Sequence, residues 1–270
     1  VAIIGIGGTG SYVLDLVAKT PVQEIHLFDG DHYLQHNAFR SPGAATLEEL
    51  KAVLELAEFG EFEEPKARVQ MGTAIDVRAG SISHEQKQIG YEVELRDGSE
   101  IVFLEESKFV FVQRAPYDRW EHFSGRAQSL LTPTVAGLKI EEFSRVGLRF
   151  VNRIDIPHRN GAPIDTDRYV TIKFSGPRHD RGIIEEFQMR VVKPTAKDGI
   201  HYALVVATTA SPLPNHTAIL LDIDVFTRLP TAAHGADLMR TLGEMRAEKN
   251  NIFEECLTNE ARALFGGVEE

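Results

Sequence analysis

Residues 91–104, YEVELRDGSEIVFL, constrain the fold more than any other stretch of the chain. Two runs of alternating apolar and polar residues meet at Asp97-Gly98. Alternation at period two marks a strand with one buried and one wet face. Asp-Gly supplies the positive backbone angles that a tight hairpin turn needs. The two runs are therefore neighbouring antiparallel strands. KFVFVQ, residues 108–113, reads as a third strand, and YDRWEHFSGRAQSLL, residues 117–131, as a helix. Five strand-like runs follow: RVGLRFVNRIDIP, RYVTIKFSG, EEFQMRVVKP, HYALVVATT and AILLDIDVF. A helical stretch over about 234–266 closes the chain. Strands in series with helices set apart predict an antiparallel α+β domain over residues 91–270.

The 270 residues are 43 % hydrophobic and 26 % charged, ordinary values for a globular chain. A formal net charge of −11 argues against a surface built throughout for nucleic acid or anionic lipid. The single cysteine, Cys256, excludes an intrachain disulfide framework and fits a reducing cytoplasm. No run reaches the ~18 apolar residues of a membrane-spanning helix. The expectation is a cytoplasmic chain without nucleic-acid or membrane partners; homo-oligomer formation stays open. Val1 already lies in strand-like sequence, which is what a fragment or a processed product would look like.

The first 55 residues follow a different grammar. VAIIG reads as a short buried strand, residues 9–19 as a helix and EIHLF, residues 24–28, as a second strand. Such a β-α-β unit makes parallel strands. Gly5, Gly7 and Gly10 fit G-x-G-x-x-G, with Gly8 added. The first glycine allows a tight turn and the second a close approach of backbone to phosphate. The third lets helix pack on strand. The free N–H groups of the helix N-terminus face an anion. Asp29 stands nineteen residues after Gly10, where a carboxylate accepts hydrogen bonds from ribose hydroxyls. The alternative is a tight β-α turn with no ligand. TLEELKAVLELAE, residues 46–58, predicts an amphipathic helix with Thr46 as N-cap and Glu49 closing a capping box. Residues 56–90 carry little pattern. They read as a linker or domain start holding one or two short strands, with the boundary between 55 and 90.

GIGGTGS followed by Asp29 and Asp31 as D-x-D, then by Asn37 and Arg40 as N-x-x-R, resembles the ThiF/MoeB superfamily of ubiquitin-activating-type adenylyltransferases over about residues 1–50. The resemblance implies a Rossmann-like unit that binds ATP with Mg²⁺ and adenylates the C-terminus of a ubiquitin-like protein. By position, Gly5, Gly7, Gly8 and Gly10 would hold phosphates and Asp29 the ribose. Asn37 and Arg40 would face the triphosphate, Arg40 through its fork of donors, which also makes it the catalytic candidate. The family carries glutamine after that arginine, where this chain has Ser41. It also uses a lysine near the phosphates, for which Lys51 and Lys66 are candidates, and a later aspartate for Mg²⁺, for which Asp76 is the candidate. Two parallel strands do not build a doubly wound sheet, so the expectation is a nucleotide cradle whose catalytic remainder is absent, an enzyme incomplete in this chain. RVGLRFVNRIDIP, LLDIDVF and NNIFEECLTNEARALFG resemble a sporadic bacterial family of uncharacterised proteins over about residues 60–266, which implies no reaction.

Three further groups of residues invite weighing. Arg145, Arg149 and Arg153 share one strand face, and Asp222 and Asp224 share another. Together they predict either an anion or Mg²⁺ site or a solvated sheet face with cross-strand ion pairs. His32 and His36 are four apart, a metal-ligand spacing only if the segment is helical. Cys256 reads as a thioester nucleophile or, from its helical spacing with Ile252, Phe253 and Leu257, as a buried thiol. Tyr117, Trp120 and Phe123 read as helix-to-sheet packing. The leading expectation is a ThiF-like nucleotide-binding segment joined to an α+β domain. The alternatives are an interaction protein whose α+β part does the work, and an NAD-binding oxidoreductase.

Overall fold

The computed structural model describes residues 2–4, 26–28, 45–76, 81–158, 165–173 and 186–265. The protein is an α+β chain built mainly from antiparallel sheets. It divides into two compact units, Val1–Lys139 and Ile140–Glu270.

In the first unit, β1 (Ala2–Ile4) pairs in parallel with β2 (His26–Phe28). Helix α1 (Leu47–Leu54) begins at Thr46, whose side chain accepts from the Glu49 backbone while the Glu49 carboxylate returns to the Thr46 N–H at 2.8 Å. The expected capping box is present. The helix is shorter than expected, because a turn and a 3₁₀ segment, Ala57–Phe59, replace its end. The segment read as a linker or domain start with one or two short strands holds β3 (Lys66–Asp76) and most of β4 (Ser81–Glu94), both longer than expected, and this antiparallel pair joins β5 (Glu100–Glu105) and β6 (Lys108–Gln113). The four strands run in the order β3-β4-β5-β6, all antiparallel. The expected turn at Asp97-Gly98 joins β4 to β5. Gly98 takes φ +75°, and the Asp97 carboxylate accepts from the Ser99 hydroxyl at 2.6 Å and from its N–H at 2.9 Å. Gly90 is required by close packing: a Cβ there would lie 2.2 Å from the Leu104 carbonyl oxygen. Helix α2 (Trp120–Gly137) packs on α1 and the 3₁₀ turn. Leu50, Val53, Phe59, Phe62, Val102 and Leu130 form the centre of this core. Phe123 of α2 meets Phe111 of β6 at 5.4 Å between ring centres, and Trp120 and Tyr117 cluster around it, the packing role expected for these rings.

The second unit is a sheet of order β8-β11-β10-β9, all antiparallel: β8 (Val146–Pro157), β11 (His216–Thr227), β10 (Ile200–Ala210) and β9 (Gln188–Pro194). A short ladder pairs β7 (Glu142–Phe143) with β12 (Thr231–Ala232). Helix α3 (Ala236–Cys256) packs on β11 and β8. Ile219, Leu221, Ile223 and Val225 of β11 are buried at alternate positions, with Leu148, Ile154 and Ile156 beside them on β8. The period-two pattern thus defines an inner face covered by the helix. Asn152, the polar exception on that face, donates to the Leu221 carbonyl at 3.3 Å.

One expected strand is corrected. RYVTIKFSG forms no strand among its described residues: Thr166–Arg168 is a 3₁₀ turn and Val170 makes a single bridge to Leu257. The backbone donors and acceptors of this segment are taken by the end of α3 instead. Thr171 N–H donates to the Cys256 carbonyl at 3.0 Å and its hydroxyl to the Glu255 carbonyl at 2.6 Å. A helix C-terminus leaves carbonyls without partners, and a segment some 85 residues upstream satisfies two of them. The closing helical stretch is also corrected. It breaks at Leu257, and Thr258 caps a separate helix, α4 (Asn259–Leu264). There the Arg168 guanidinium makes two bonds to Glu260, at 2.8 and 2.9 Å.

Candidate functional site

The face of the second sheet opposite α3 gathers the charged residues. The register of β8, β11, β10 and β9 puts Arg149, Val151, Arg153 and Asp155 in line with Asp222 and Asp224, then with Ala203 and Val205, then with Arg190 and Val192. Arg149 grips Asp222 with two parallel bonds, Nε to Oδ1 at 2.7 Å and Nη2 to Oδ2 at 2.5 Å. This fork geometry is the strong form of the arginine–carboxylate contact. The hydrogen bond to Asp222 holds the Arg149 guanidinium above its ordinary pKa. Arg145 donates to Asp224 at 2.8 Å.

The expectation that arginines and aspartates face each other across the sheet holds for Arg149. For Arg153 it is corrected. Arg153 turns along its own strand to Asp155, with both contacts at 3.1 Å, because position 155 lies two residues on and on the same face. Asp155 also accepts from the Ser211 hydroxyl at 2.6 Å, and this bond, with Arg153, draws its carboxyl below the usual range.

At one end of this face the Phe226 ring stacks on His201 at 5.8 Å, with Arg145 at 4.9 Å and Arg228 at 5.2 Å from its centre. Reading strand by strand missed this cluster. His201 and Phe226 are paired only by the β10–β11 register, and Arg228 follows the strand. Among the described residues no three His, Cys, Asp or Glu side chains converge on a metal position.

Cys256 is 5 % exposed, and burial, helped by Glu255, pushes its thiol up to about 11. A thiol of this kind stays protonated at neutral pH and is a poor nucleophile. The buried-thiol reading holds and the thioester reading is set aside. Lys51 is exposed on α1, and Lys66 lies 3.7 Å from Glu94 and 3.8 Å from Glu63. Asp76 ends β3. Gly5, Gly7, Gly8, Gly10, Asp29, Asp31, Asn37 and Arg40 lie outside the described residues, as do His32 and His36.

No family model, curated protein or solved structure matches the chain. Any functional reading therefore stands on the residues themselves. Among the described residues no helix is long and apolar enough to cross a membrane.

Proposed function

We propose that the first forty residues bind ATP, with the glycine loop on its phosphates, Asp29 on its ribose and Arg40 on its triphosphate. The observation that supports this best is the parallel pairing of Ala2–Ile4 with His26–Phe28. In sequence, Gly5 directly follows the first strand and Asp29 the second. In open α/β sheets, ligands bind beyond the carboxyl ends of neighbouring parallel strands. Mg²⁺ accompanies ATP in such a site, and a cytoplasmic setting suits it. Completed by the further parts that ThiF-like enzymes carry, the unit would serve adenylyl transfer to the carboxylate of a ubiquitin-like protein.

A thermal-shift titration tests this reading. Millimolar ATP–Mg²⁺ raises the melting temperature more than adenosine or NAD does, and the chain alone catalyses no pyrophosphate exchange. A larger shift with NAD would instead favour an oxidoreductase. A second reading, an interaction protein that works through its α+β part, draws on the valines exposed among the arginines of the second sheet. Val151 is 59 % and Val192 48 % exposed.

A further inference from the structure

The outer face of the second sheet layers its charges. The Arg149 guanidinium is 62 % exposed, whereas its partner Asp222 is 11 % exposed. Arg145 over Asp224 and Arg153 beside Asp155 repeat the order, with half-exposed guanidiniums and deeper carboxylates. Arg190 adds a further exposed cation on β9. The carboxylates lie beneath the guanidiniums, so the surface that meets a partner is cationic although the chain carries a net charge of −11. The cations of this face are arginines. Arginine is enriched at protein interfaces and lysine depleted, and its planar fork keeps donors for a second carboxylate after binding the first. Arg149 is held by its two hydrogen bonds to Asp222 and Arg145 by Asp224 and the Phe226 ring, so little side-chain freedom is left to lose on docking. Preorganisation of this kind strengthens association. Val151 and Val192 stand between the arginines as exposed apolar contacts.

From this layering we infer that the outer face of the β8-β11-β10-β9 sheet docks an acidic segment of a partner protein. Partner carboxylates meet the outer donors of Arg149, Arg145 and Arg190, and its apolar side chains cover Val151 and Val192. This gives the interaction reading above its partner, and it does not depend on nucleotide binding. The test uses the full chain and three labelled probes, poly-L-glutamate, poly-uridylate and phosphatidylserine vesicles, with binding read by fluorescence anisotropy for the polymers and sedimentation for the vesicles. Poly-L-glutamate should bind, and more weakly as salt rises. The double variant Arg190→Glu/Val192→Glu, both positions exposed on the edge strand, should lose at least tenfold in affinity while keeping the parent's circular dichroism. Arg96→Glu, the same substitution as at Arg190 but on the other unit, should leave binding unchanged. Equal loss in Arg96→Glu, or none in the double variant, overturns the assignment of this face. Tighter binding of poly-uridylate or vesicles, abolished by the same double variant, overturns the acidic-protein partner but keeps an interaction surface here. Failure of all three probes to bind overturns the proposal and the interaction reading together.

Discussion

Breaking the Arg149–Asp222 pair from its two ends should have unequal consequences. The pair spans a steep gradient of exposure, with a guanidinium mostly in water and a carboxylate mostly out of it. Arg149→Ala leaves the Asp222 carboxylate in place without the two donors that satisfy it. A buried acceptor stripped of its partner costs about 1–3 kcal/mol. Asp222→Val has a different outcome. It releases Arg149 into solvent, where losing an exposed pair costs about 0.2–1 kcal/mol. It also puts an apolar side chain between Val151 and Val205, its cross-strand neighbours. That gain offsets the loss, so Asp222→Val should lie within about 0.5 kcal/mol of the parent. Replacing an ion pair by packed apolar groups is often neutral or better. The double variant should then resemble Asp222→Val alone, with a coupling of about 1–3 kcal/mol between the sites. Urea-induced unfolding followed by circular dichroism measures all four proteins. Equal costs for the two single variants, or strict additivity in the double, would refute the layered picture of this face.

Four further outcomes follow from the second unit. Cys256 should react with a disulfide reagent at pH 8 many times more slowly in the native chain than after unfolding; stoichiometric labelling of the native protein would contradict its burial. Because its thiol titrates near 11 when folded against 9.0 ordinarily, its contribution to stability is present below pH 9 and lost as pH rises through 11. Thr258→Ala removes the hydroxyl that accepts from the Ala261 N–H and donates to the Arg168 carbonyl. A lost N-cap costs about 1–2 kcal/mol, and the same unfolding assay should show it; an unchanged midpoint would mean that α4 does not unfold with the unit. Glu260, drawn below its usual 4.5 by Arg168, adds an acid limb: its contribution is present above 4.5 and lost as pH falls through its lower folded value, which an NMR titration of its side chain would follow.

Much of the fold was legible because period and turn chemistry are local. The alternation around Asp97-Gly98, the capping box at Thr46 and the strand pattern of β8 and β11 each depend on a few neighbouring residues. The described part of RYVTIKFSG, residues 168–173, forms no strand because its polar groups are taken by the end of α3, more than eighty residues away, which nothing local reveals. β3 and β4 are longer than the one or two short strands expected there because QMGTAID and SISHEQKQ lack clear alternation; cross-strand pairing defines their extent. The charged face was half legible. Shared faces for Arg149 and Asp222 come from the two-residue period. Register alone pairs them, and the nearer Asp155 takes Arg153. The exposure gradient that makes the face cationic belongs to the folded sheet and has no signature in the sequence.

Nucleotide binding at the glycine loop is tested most directly by calorimetric titration of the parent, Gly7→Val, Asp29→Ala and Arg40→Ala with ATP and with adenosine. If Gly7 admits a phosphate to the backbone, a valine side chain there occupies the phosphate's place and abolishes ATP binding. Asp29→Ala should weaken both ligands by about 1.5–3 kcal/mol, the worth of hydrogen bonds to a charged group. Arg40→Ala should weaken ATP far more than adenosine, since only ATP carries phosphates. A parent chain that releases no heat with millimolar ATP would contradict the account and leave the glycines of IIGIGGTGS with the sole task of turning the chain.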